Sequence, residues 1–157
     1  MTIPSFFLEI SNKSSIPDSI EWGELKKNKR VFIKFKKNNI NISFFNSNGN
    51  KLCILGNPII DGELNNAKFA KFFFQNKNFD ILKKINGEFL IFFINKSKKV
   101  LEIINSRFTS PALWYYLNKK RFLASLSFSE LSINLKKNSA FKLNKNSFFE
   151  YLFFRRI

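Results

Sequence analysis

A chain of 157 residues has the length of one ordinary domain, and 45% hydrophobic residues give it enough apolar side chain for a single buried core. With no His and a single Cys, the composition excludes Ser-His-Asp and Cys-His catalysis, an intrachain disulfide, and a zinc site built from the usual donors. The net charge of +16 raises nucleic acid or an anionic membrane as partner, but nearly all of it is Lys, with Arg only at positions 30, 107, 121, 155 and 156.

Arg is the residue best suited to bidentate phosphate and base contacts, so its scarcity argues against nucleic acid as the main partner. Lys, Asn, Ile and Phe rise together here, as an A/T-rich coding sequence would dictate. The opening "MTIPSFFLEISNKSS" places no basic leader before an apolar core, and no apolar run reaches the length of a bilayer span. A cytoplasmic protein without a membrane segment is the expectation.

In chain order, "SFFLEI" (5–10) reads as a strand, followed by a polar loop through Pro17. Asp18, Glu21 and Glu24 read as a solvated acidic loop rather than a metal site. "VFIKFKK" (31–37) and "NINISFF" (39–45) alternate apolar and polar residues, the period of a half-buried strand. "NSNGN" (46–50) is a turn leading into "KLCIL" (51–55), so the first third is expected to be an antiparallel meander. Cys53, inside that apolar run, is expected to be a buried small hydrophobe.

The period then lengthens. "NNAKFAKFFFQN" (65–76) sets Ala67, Phe69, Ala70, Phe73 and Phe74 at helical spacing, with Asn65 or Asn66 as cap. A short helix is expected at 79–85, and then "EFLIFFIN" (88–95), a strand apolar on both faces as in the covered middle of a sheet. "VLEII" (100–104) follows, then a hairpin from "ALWYYL" (112–117) and "RFLASL" (121–126) whose tip is Lys119, Lys120 and Arg121. Helices are expected at 127–132 and 144–154. Arg107 is expected to form a structural ion pair with Glu88 or Glu102. The order of elements is that of an α+β domain, mainly antiparallel.

From Phe79 onward the chain resembles the N-terminal glutamine-amidotransferase domain of the asparagine synthetase family, a class II, Ntn-hydrolase-type domain. The residues that carry this are Gly87-Glu88-Phe89-Leu90-Ile91, Asn105-Ser106-Arg107-Phe108 with Leu113-Trp114-Tyr115, and Leu123-Ala124-Ser125, in the family's order and spacing. The closing "LNKNSFFEYLFFRRI" is similar to the helix that links this domain to a synthetase domain. The resemblance implies a four-layer αββα sandwich, a domain over 1–143 and a linking helix over 144–157. It also implies that the rings of Trp114 and Tyr115 pack between layers.

In that family the mature N-terminal residue is both nucleophile and, through its α-amino group, base, which explains hydrolysis without His. The resemblance places Thr2 there after loss of Met1, where the family has Cys, and puts Gly56 and Asn57 in the substrate-binding loop. Leu55 stands where the family has the Asn of its oxyanion hole. Loss of one such donor slows acyl transfer by about 10²–10³. No Arg occurs between Arg30 and Arg107 to clamp a substrate carboxylate. The triplet Asn86-Gly87-Glu88 spells the family's motif but belongs by position to the following strand.

The expectation is therefore an amidotransferase-like domain without glutaminase activity, acting structurally beside an ATP-dependent synthetase domain in cis or in trans, as in β-lactam synthetases and lasso-peptide cyclases. ATP and Mg belong to that other domain; no cofactor or metal is expected in this chain. A homodimer is a further possible assembly. Two alternatives stand beside it: a working Thr2 N-terminal-nucleophile amidase, and a basic module binding single-stranded nucleic acid through the Phe rings of "AKFAKFFFQNK" and "RVFIKFKK".

Overall fold

The computed structural model describes residues 6–26, 29–35, 41–75, 84–106 and 111–137. Thr2, Arg107, most of the expected 79–85 helix, the expected 144–154 helix and the 143/144 boundary lie outside them.

The described residues are rich in antiparallel strands and carry few helices. Strands β1 (Phe6–Ser11), β2 (Ile20–Lys26) and β3 (Lys29–Phe35) join the later hairpin of β10 (Trp114–Leu117) and β11 (Phe122–Ser125) in a five-stranded sheet ordered β10-β11-β1-β3-β2. Strands β4 (Ile42–Ser47), β5 (Asn50–Gly56), β8 (Phe89–Asn95) and β9 (Val100–Asn105) form a four-stranded sheet in that order. A two-residue pair, β6 (Ile59–Ile60) with β7 (Glu63–Leu64), makes a small hairpin before helix α1 (Asn66–Gln75). Helix α2 (Phe128–Lys137) follows β11.

Alternation along each strand dictates the packing. Phe6 and Leu8 of β1, Val31 and Ile33 of β3 and Ala124 of β11 join Cys53, Leu55, Leu90, Phe92 and Ile94 of the other sheet in one buried cluster. The Phe6 and Phe92 rings stack there, 5.1 Å between centroids. The two sheets therefore share a core made of every second residue.

The intervening residues face the opposite way. Leu52, Ile54, Phe89 and Ile91 bury themselves under Phe69 and Ala70 of α1, and Phe73 sets its ring edge-on to Phe93. Phe7 and Leu123 pack beneath Leu131 and Leu135 of α2. Strand β8 is thus apolar on both faces because it meets β1's sheet on one side and α1 on the other. Ala67, expected on the buried face of α1, is exposed. Asn65 caps α1: its Oδ1 accepts from the amides of Ala67 and Lys68, each at 3.0 Å.

Three expectations are corrected. The first third is not one meander: β3 pairs with β1 and β2, β4 pairs with β5, and the chain changes sheet between them. Glu21 and Glu24 lie in strand β2 rather than in a loop; Glu21 pairs with Arg30 at 3.1 Å, and Asp18 with Lys34 at 3.6 Å. Trp114 and Tyr115 do not pack between layers. They sit on the edge strand β10, 45% and 66% exposed, with Trp114 against Phe128 and Tyr115 stacked on Phe122.

No helix among the described residues is long and apolar enough to cross a membrane.

Candidate functional site

Gly56 and Asn57, the substrate-loop residues implied by the resemblance, lie where β5 ends. Gly56 has φ of 89°, in the left-handed region, and a Cβ there would overlap the carbonyl oxygen of Glu88. Only glycine lets β5 end that close to the segment leading into β8. Gly87 has the same relationship in reverse, φ 94°, with a Cβ that would overlap the carbonyl oxygen of Asn57. The two glycines interlock the loops 56–59 and 86–88.

Hydrogen bonds fasten this interlock. The Gly56 amide donates to the Asn41 carbonyl at 2.8 Å, and the Asn57 amide to the Glu88 carbonyl at 2.9 Å. Ile59 and Asn86 exchange both backbone bonds, at 2.8 and 3.0 Å. Asn66 reaches back from the start of α1, its Nδ2 donating to Ser43 Oγ at 3.1 Å and to the Gly56 carbonyl at 3.3 Å. On the exposed side, Asn41 Nδ2 donates to Asn57 Oδ1 at 2.7 Å.

An oxyanion hole needs donors aimed at an open position where negative charge develops. Both backbone donors of the Gly56–Asn57 pair instead close bonds within the fold. Leu55, at the position where a side-chain donor is expected, is wholly buried in the inter-sheet core. What remains is a well-tied strand end. The structure therefore brings Gly56 and Asn57 together with Asn86-Gly87-Glu88, the triplet that position alone assigned to the following strand. Thr2 lies outside the described residues.

Cys53 offers no substitute nucleophile. It is fully buried between the sheets, and burial pushes its thiol far above the ordinary range, so the thiolate is disfavoured. Among the described residues no group of three or more Cys, Asp or Glu side chains could hold a metal ion.

Most rings of the two Lys- and Phe-rich stretches are buried or packed against a core. Phe32 is buried, Phe35 packs against the inter-sheet core, and Phe69, Phe73 and Phe74 seal α1 on its sheet. Phe35, Phe69, Phe73 and Phe74 are thus taken up by core packing, while Phe32 shares the other face of β3 with Lys34.

Residue reading missed Glu9. This acid in mid-strand is 1% exposed, and its carboxylate accepts from the Ser15 amide at 2.7 Å, Ser15 Oγ at 3.1 Å and Ser14 Oγ at 3.1 Å. The available signal was an acid inside "FFLEIS" with two hydroxyls five and six residues later. No protein-family model, curated protein or solved structure matches the chain.

Proposed function

We propose that this chain is a glutamine-amidotransferase-like domain that has lost glutaminase activity and serves as a structural partner of an ATP-dependent synthetase domain, in cis or in trans. The observation that carries the reading is the arrangement of elements: two antiparallel sheets share one core, with α1 on the outer face of one and α2 on the outer face of the other. That order of layers is what a four-layer αββα sandwich of the Ntn-hydrolase type requires. It supports the resemblance carried by Gly87-Glu88-Phe89, Leu113-Trp114-Tyr115 and Leu123-Ala124-Ser125.

Loss of activity is supported from the same residues. The Gly56 and Asn57 amides are engaged within the fold, Leu55 replaces a donor with a buried alkyl group, and Cys53 is sealed from solvent. What such a domain retains is a rigid body on which a second domain can be built.

The test is the mass and composition of the protein isolated from its native cell. A synthetase domain in cis gives a species much heavier than 18.5 kDa. One in trans gives a stoichiometric partner carrying a glycine-rich pyrophosphate-binding loop. Isolation of the chain alone at 18.5 kDa, with no partner, overturns the reading.

A further inference from the structure

A concavity lies at the opposite end of β1 from Phe6 and owes nothing to the amidotransferase reading. It forms where β1 runs out between its two neighbours. Ser11 pairs with Arg30 of β3 and Ile10 with Phe122 of β11, so the next residues outward, Lys29 and Arg121, bracket the loop that follows. The cavity has a volume of about 670 Å³, and its lining includes Lys13, Lys29, Lys119, Lys120 and Arg121. That volume is in the range that holds small ligands.

Five cations therefore surround one hollow, and the single carboxylate in its lining, Glu9, is withdrawn: it is 1% exposed and already accepts from Ser14 and Ser15. Among the described residues none of the five cations has a carboxylate partner within salt-bridge distance. Elsewhere among the described residues three cations do pair, Arg30 with Glu21, Lys34 with Asp18 and Lys68 with Glu63, and what distinguishes these five is that they gather around one hollow. Like charges gathered without counter-charge cost free energy, and an anion bound among them relieves that cost.

Part of the rim is held in place, Arg121 and Lys29 through their side chains and Lys120 through its backbone. Arg121 donates to Ser15 Oγ at 3.2 Å and lies over the Tyr116 ring, 5.9 Å from its centroid. Lys29 Nζ donates to the Lys120 carbonyl at 2.6 Å, which ties the start of β3 to the hairpin tip. Asn118 Oδ1 accepts from the amides of Lys120 and Arg121, both at 2.8 Å, and so fixes the tip itself. Preorganised cations lose less entropy on binding than free ones.

We propose that this hollow is a binding site for a small, multiply charged phosphate compound, with Arg121 supplying the oriented guanidinium and Lys13, Lys29, Lys119 and Lys120 the surrounding field. Phosphate suits the site because the guanidinium presents paired donors and the lysines add charge without directional demand.

The test is calorimetric titration of the full chain at physiological salt, with EDTA present, using inorganic tripolyphosphate in one series and ATP in another. One saturable site is expected. Arg121→Ala and Lys120→Ala are each expected to weaken binding about tenfold, the usual effect of losing one charge-assisted hydrogen bond. Lys71→Ala, which removes equal charge from the exposed face of α1, is expected to change it less than about twofold, as a distant surface charge does in screening salt. Tighter binding of ATP assigns the site to an organic phosphate; equal binding assigns it to the phosphate chain alone. Absence of saturable binding of either compound overturns the proposal. So does a Lys71→Ala loss as large as that of Lys120→Ala, which would mean diffuse attraction to a basic protein. Lys120 is exposed, so its variant remains informative should Arg121→Ala fail to fold.

Discussion

The Glu9 carboxylate and the Ser15 amide lie 2.7 Å apart, so an acid buried in the middle of a sheet is answered by the backbone of the loop that leaves it. Two hydroxyls complete the arrangement, Ser15 Oγ and Ser14 Oγ, each at 3.1 Å. Burial of a charge is tolerable only when it is matched in this way.

Glu9→Ala strands the Ser15 amide and the Ser15 hydroxyl without their acceptor, while Ser14 Oγ still has the Ile16 carbonyl at 3.3 Å. Equilibrium urea unfolding is expected to register a loss of about 2–3 kcal/mol. Ser15→Ala removes one donor and leaves the amide bond in place, so about 1 kcal/mol is expected, with coupling between the two sites in the double variant. A Glu9→Ala variant as stable as the parent would contradict the arrangement.

Gly56 and Gly62 separate backbone strain from close approach. Both have positive φ, 89° and 78°, but a Cβ at Gly62 meets nothing within 4 Å, whereas at Gly56 it meets the Glu88 carbonyl. Gly62→Ala is expected to cost about 1–2 kcal/mol, from the left-handed backbone alone. Gly56→Ala must also part the loops 56–59 and 86–88, and is expected to exceed about 3 kcal/mol. Thermal melts of the two variants side by side give the comparison, and equal losses would remove the interlock from the explanation.

Cys53 should ignore thiol reagents in the native protein and react only once the protein is unfolded. The sign of its pH effect follows from burial. The folded state raises the thiol above its unfolded value, so it holds the proton more tightly, and the contribution is complete below the unfolded value of about 8.5. Above that pH the unfolded state ionises and stability falls by up to about 1.4 kcal/mol per pH unit. Cys53→Ala should lack this component, so the difference between the two unfolding free energies, measured from pH 7 to 10, isolates it. Parallel pH profiles would contradict the buried thiol.

Where the sequence kept a simple period, it foretold the structure. Strand β8 read as apolar on both faces because Leu90, Phe92 and Ile94 alternate with Phe89, Ile91 and Phe93, and each set has its own layer to meet. The cap, narrowed to Asn65 or Asn66 and found at Asn65, and the turn at Asn48-Gly49 were legible because each rests on local backbone chemistry. Strand β2 was not. Its pairing with β3 shifts register between Glu21 and Gly23 and again between Glu24 and Lys26. Those irregularities bring Trp22 and Leu25, three residues apart, to the same buried face and erase the period of two. The change of sheet between β3 and β4 was equally invisible, because alternation says that a strand has two faces and not which neighbour it joins. At the candidate site, Gly56 and Asn57 were named by the family resemblance and not by any local pattern. Only the fold revealed that Gly87 and Glu88 lie against them and that both amides are already engaged.

The proposed loss of glutaminase activity is tested most directly by placing a thiol nucleophile at position 2. Thr2→Cys, with removal of Met1 verified by intact mass, supplies the thiol that the resembled family uses, and ammonia release from glutamine is then measured beside Thr2→Ala. With the Gly56 and Asn57 amides held in the fold and Leu55 in place of a donor, the cysteine variant is expected to release no more ammonia than the alanine control. Glutamine turnover by Thr2→Cys that Thr2→Ala lacks would mean that the rest of the site is intact, and would contradict the claim that it has been dismantled.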